Sequence, residues 1–127
     1  MKLTPKLSIL RSLLFTYSIE NYDDPEKEHF IASKNVNDET ELTELFDKLT
    51  KPEFLSYKLE ERQWHIDTLL HYLNTDENFD SVFYLFDTYF NDEILDHRQF
   101  MKILLRCLQN YTLEIAASEL KPYKPSH

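Results

Sequence analysis

The stretch Asp96-His97-Arg98-Gln99-Phe100-Met101-Lys102-Ile103-Leu104-Leu105-Arg106-Cys107-Leu108-Gln109-Asn110 decides the fold. Phe100, Ile103, Leu104, Cys107 and Leu108 fall at i, i+3, i+4, i+7 and i+8, which aligns them on one face of a helix and on no face of a strand. Asp96, with Gln99 three residues on, forms a capping pair for the first turn. Arg98, Lys102 and Arg106 fall on a second stripe at four-residue steps. The pattern predicts a helix ending near Asn110, where Asn can take the left-handed conformation that closes a helix.

Outward from this stretch the same grammar repeats. Thr4-Pro5 places a capping hydroxyl and an N1 proline ahead of Leu7, Leu10, Leu14 and Tyr17, and Asp24-Pro25 repeats the device ahead of residues up to Ser33. Asp38 and Glu41 form a capping-box pair before Leu42, Leu45, Phe46 and Leu49, and Thr50-Lys51-Pro52-Glu53 opens a short helical turn. Leu59, Ile66, Leu69, Leu70 and Leu73, with Trp64 beside them, predict a helix of about 15 residues ending near Asn74. Phe79, Val82, Phe83, Phe86, Tyr89 and Phe90 occupy half of a helical wheel ending near Asn91. Residues 29–36 tolerate strand, and 112–121 read as helix or short strand. The chain contains no glycine, where average usage of about 7% predicts roughly nine, so Asn74, Asn91 and Asn110 are expected to serve as left-handed helix ends.

These elements predict an all-α protein: a single-domain bundle of antiparallel helix hairpins with about six to eight helices. Residues 1–121 form the domain and 122–127, with Pro122 and Pro125, a flexible C-terminal tail. Leu45-Phe46-Asp47-Lys48-Leu49 is echoed by Leu85-Phe86-Asp87-Thr88-Tyr89 forty residues later, the period of a HEAT-like repeat. At 127 residues with 42% apolar and 14% aromatic content the chain can bury one real core and is no disordered acidic tail.

Composition also excludes functions. Phosphate-cradling loops, dinucleotide fingerprints and nucleophile elbows all need glycine. A net charge of −9 opposes direct binding to nucleic acid or to an acidic membrane surface. Cys107 is alone, so no internal disulfide forms, and it sits in an apolar stripe as a small core residue. Arg11 interrupts the Leu-rich run near the start and no cleavage site follows, so a cytoplasmic protein is expected. His65 and His71 are six apart, too far to share a ligand on a helix, and read as members of a solvated face. Asp76 to Asp80 with Asp87 mimic a calcium loop, but Ser81 stands where that loop turns on glycine. No metal, cofactor or small-molecule substrate is expected.

The charge comes in blocks. Residues 20–47 carry ten acids against two bases, and residues 76–96 carry seven acids and no base. On a helix through residues 79–91, Glu77, Asp80, Tyr84, Asp87 and Asn91 would fall within about 80° of one another, opposite the aromatic core stripe. Asp87 would then stand near a helix C-terminus, where the macrodipole disfavours it, which points to a use beyond stability. A tyrosine among carboxylates suits a basic protein partner, with the ring as anchor and the acids steering encounter. The candidate partner-binding residues are therefore Glu77, Asp80, Tyr84, Asp87, Asn91, Asp92 and Glu93, with Asp38 and Glu41 from the first acidic block. The competing expectation is that Arg98, Lys102 and Arg106 neutralise this stripe within the molecule.

Small size, acidity, aromatic richness, the acidic blocks Glu20 to Asp47 and Asp76 to Asp96, and no catalytic motif together resemble one class: small helical bacterial immunity proteins of contact-dependent growth-inhibition and colicin-like systems. The resemblance is of overall character across the chain and rests on no signature motif. It implies a tight complex with a basic toxin domain, often a nuclease, whose active site the inhibitor covers or plugs. Two other classes remain: an acidic adaptor or nucleic-acid mimic that blocks a DNA- or RNA-binding protein, and a small helical enzyme.

Overall fold

In the computed structural model, residues 3–20, 24–84 and 87–120 are described, Glu119 and Leu120 by backbone alone. The order is α1 (Leu7–Leu14) running into a 3-10 turn (Phe15–Tyr17), α2 (Pro25–Ala32), α3 (Glu39–Leu45), a π turn (Phe46–Thr50), α4 (Lys51–Ser56), α5 (Leu59–Leu73), α6 (Asp80–Tyr84) and α7 (His97–Leu120). With α3, the π turn and α4 taken as one rod, the described residues hold six helices and no strand, an all-α domain at the low end of the expected count. The expected tail, 122–127, lies outside the described residues.

Several starts are built as the sequence dictates. Asp24 accepts from the amides of Glu26 (3.0 Å) and Lys27 (3.3 Å), with Pro25 at the first helical position. Asp38 does the same for Thr40 (2.9 Å) and Glu41 (3.4 Å). Asp96 caps α7 through the Gln99 amide at 3.0 Å. Thr4-Pro5, by contrast, is not a cap: α1 begins at Leu7 without a side-chain cap, and the Thr4 carbonyl accepts the indole N–H of Trp64 at 2.6 Å. Residues 29–36 are not strand, since α2 continues through Ala32.

Pro52 explains the π turn. It lacks the N–H that a regular helix would direct to the Lys48 carbonyl, and its ring would clash there. The chain widens through Phe46–Thr50 and re-enters α-helix as α4. The buried Tyr17 hydroxyl anchors this irregularity, donating to the Leu45 carbonyl (3.1 Å) and pairing with the Thr50 hydroxyl (2.7 Å).

Two expected helix ends move. Helix α7 runs past Asn110 to Leu120, because Tyr111 is buried and donates to the Asp47 carboxylate (2.6 Å), and Glu114 pairs with Lys51 (2.9 Å) on α4. No proline interrupts before Pro122. The helix expected over 79–91 stops: α6 spans only Asp80–Tyr84, and Asp87 to Tyr89 run extended beside residues 17–19. There the amide of Ile19 donates to the Asp87 carbonyl (3.0 Å) and that of Tyr89 to the Tyr17 carbonyl (2.9 Å). The HEAT-like echo has no counterpart among the described residues: Phe46 to Leu49 of one copy lie in the π turn and Asp87 to Tyr89 of the other run extended, while Leu85 and Phe86 lie outside the described residues.

Asparagine does not supply left-handed ends. Asn74 closes α5 at φ −86°, and Asn110 is interior to α7. The one described residue with positive φ is Phe79 (φ 62°). A bulky residue there costs about 1–2 kcal/mol. Full burial of its ring and donation of its amide to the Glu77 carboxylate (3.0 Å) hold it in place.

The core joins all the helices, and its aromatic part lies under the acidic loop. Phe100 of α7 meets Phe46 (5.3 Å, 87°) and Phe83 (5.2 Å, 89°) edge to face, and Phe90 packs on Phe100 (6.1 Å) and Tyr17 (5.3 Å). Each edge-to-face pair adds about 0.5–1.5 kcal/mol to area burial. Cys107 is buried, as expected. His65 is not on a solvated face: it is 5% exposed, stacks on Tyr57 (4.9 Å) and bonds the Glu61 carbonyl through Nδ1 (2.6 Å).

Candidate acidic interface

Because α6 ends early, the stripe Glu77, Asp80, Tyr84, Asp87, Asn91 is not one helix face. Glu77 precedes α6 and is spent on the fold, its carboxylate taking the Phe79 amide. Asp80 Oδ1 lies 2.8 Å from His97 Nδ1, and the imidazole stacks on Phe83 at 4.5 Å. Tyr84, at the end of α6, is 85% exposed. Asp38 and Glu41 are also structural, Asp38 as the α3 cap and Glu41 as acceptor for the Asn35 amide (3.1 Å) rather than as the second half of a capping box.

What replaces the stripe is a groove. The segment Asp87 to Ile94 folds over the junction of α6 and α7, and together with Ile19, Phe83 and His97 encloses an open cleft of about 500 Å³. Asp87, Asn91, Asp92 and Glu93 are exposed around it, whereas Phe83, Phe90 and Ile94 form its half-buried floor. Among the described residues the carboxylates of Asp87, Asp92 and Glu93 have no hydrogen-bond or ion-pair partner.

The basic stripe of α7 does not neutralise them. Arg98 donates to the carbonyls of Leu73 (2.9 Å), Thr75 (3.0 Å) and Glu77 (2.8 Å), closing the end of α5 and the turn after it. Arg106 pairs with Glu39, and Lys102 is exposed. The expected internal pairing of this stripe with Glu77, Asp80 and Asp87 is thus absent among the described residues, because the arginines serve α5 and α3 instead.

Sequence reasoning missed Asn37. Its side-chain amide donates to the Glu93 carbonyl (2.8 Å) and accepts from the Leu95 amide (2.9 Å), closing a two-bond clamp across 56 and 58 residues. Through it the turn before α3 abuts the loop before α7, so the two acidic blocks meet at one edge. The polar run Asn35-Val36-Asn37-Asp38 signals a turn, but nothing in it signals the partner. Also missed were Ile19 and Leu95, 42% and 80% exposed, which flank the acidic loop with apolar surface. No described helix is long and apolar enough to cross a membrane. Compared with known protein families, with curated proteins and with solved structures, the chain finds no match in any of the three.

Proposed function

We propose that this chain is a cytoplasmic immunity protein that binds a basic toxin domain, of nuclease type, and neutralises it by covering its active site. The observation that carries the reading is the clamped acidic loop: Asp87, Asp92 and Glu93 have no partner among the described residues, exposed Ile19 lines the same cleft, and exposed Tyr84 and Leu95 flank the loop in sequence. Uncompensated like charges cost the isolated protein self-repulsion, so their retention fits a use in binding. A nuclease cleft is positive because it holds phosphates, and carboxylates can occupy those positions through charge-assisted bonds. The Asn37 clamp reduces the ordering cost of association. On this reading the chain is an inhibitor, not an enzyme, and uses no cofactor.

The test is affinity capture from the source cell with the wild-type chain and with a triple variant, Asp87→Lys, Asp92→Lys and Glu93→Lys. The expected result is a basic toxin domain retained at low salt by the wild type alone, whose activity the wild type abolishes. Capture of a DNA-binding regulator would move the reading to nucleic-acid mimicry. Identical capture by both proteins would remove the acidic loop from the interface.

A further inference from the structure

We propose that the groove under the acidic loop receives one arginine side chain of the partner, an assignment that rests on the immunity reading and specifies its central contact. Three features of the cleft select that occupant. Its rim carries Asp87, Asp92 and Glu93, all exposed and without partners among the described residues, so the pocket is complementary to a cation. Its floor is apolar and aromatic, from Phe83, Phe90 and Ile94, which suits the methylene stem of a long basic side chain and the flat face of a guanidinium. The volume, about 500 Å³, lies in the range of about 300–1,000 Å³ typical of ligand clefts and accommodates one extended side chain with its flanking backbone.

Among the described residues no lysine or arginine lines the cleft. Arg98, the nearest basic residue in sequence, has its guanidinium committed to three carbonyls of the segment 73–77. His97 is turned to Asp80 through Nδ1 and lies flat on Phe83. Arginine is favoured over lysine because a planar fork stacks on aromatic rings and takes carboxylates in pairs, whereas a compact, strongly hydrated ammonium gains little from the floor. The aromatic floor is also rigid, since Phe83 and Phe90 both pack on the buried ring of Phe100.

The experiment uses the full chain, labelled with 15N and titrated at moderate salt with capped hexa-arginine, hexa-lysine and hexa-glutamate peptides. The expected result is shift changes concentrated at residue 83 and residues 87–97, with hexa-arginine severalfold tighter than hexa-lysine and hexa-glutamate silent. The double variant Asp92→Asn, Glu93→Gln, whose side chains lie off the core, should weaken hexa-arginine by at least about tenfold. Equal affinity for both basic peptides overturns the arginine assignment, as do shifts centred on residues 26–44 or no shifts at all. Failure here alongside capture of a basic toxin removes the groove and leaves the immunity reading. Success here with no toxin captured leaves the groove and removes that reading.

Discussion

Replacing Tyr17 with phenylalanine should destabilise the protein by about 2 kcal/mol while leaving its shape intact. The ring is fully buried and touches Phe46 and Phe90, contacts that phenylalanine retains. What disappears is the hydroxyl between the Leu45 carbonyl (3.1 Å) and the Thr50 hydroxyl (2.7 Å). Thr50 is also fully buried, so its hydroxyl is left without water or its Tyr17 partner. Leaving such groups unpaired costs about 1–3 kcal/mol in total. For a domain of this size about 1 kcal/mol corresponds to about 3–5 °C, so the thermal midpoint followed by circular dichroism should fall by about 6–10 °C. The double variant Tyr17→Phe, Thr50→Val removes the stranded hydroxyl as well. It should lose less than the two single losses added together, with a coupling of at least about 0.5 kcal/mol. An unchanged midpoint in Tyr17→Phe, or strict additivity in the pair, would refute the claim that this hydroxyl anchors the π turn.

Tyr84→Ala should change folding stability by no more than about 0.5 kcal/mol, because the ring is 85% exposed, yet weaken the complex with the proposed toxin partner by about 2 kcal/mol; calorimetry on both quantities checks it. Asn37→Ala should cost about 1 kcal/mol of stability and speed hydrogen exchange at the Leu95 amide well beyond any change in the α5 amides, since only the clamp is removed. Burial holds the proton affinity of His65 below its ordinary 6.5, against the opposing pull of the Glu61 carbonyl and charge. The unfolded chain therefore takes up the proton first on acidification, so stability should fall as pH drops through and below about 6.5. Denaturant midpoints between about pH 8 and pH 5.5 should show a shallower slope in His65→Gln, and equal slopes would remove His65 as the cause.

The all-α class was legible in the sequence because apolar spacing and caps are local properties. Asp24, Asp38 and Asp96 needed only their own next three residues to cap, and the 15-residue helix from Leu59 to Leu73 follows from apolar residues at helical spacing, of which Ile66 and Leu69 are the buried ones. The acidic character of residues 76–96 was equally plain in their composition. Where the helices stop was decided elsewhere in the molecule. Residues 79–91 have the apolar spacing of one helix, but the backbone groups of Ile19 and Tyr17 take the Asp87 carbonyl and the Tyr89 amide, and that pairing across some seventy residues ends the helical run. Helix α7 passes Asn110 because Tyr111 and Glu114 find partners on the π turn and α4. The groove follows from the first of those outcomes, since its lining runs through Ile19, Phe83, residues 87–94 and His97, where the helical run ends. Its clamp at Asn37 and its aromatic floor come from segments distant in sequence, and no local pattern records which distant groups will satisfy a given carbonyl, amide or ring.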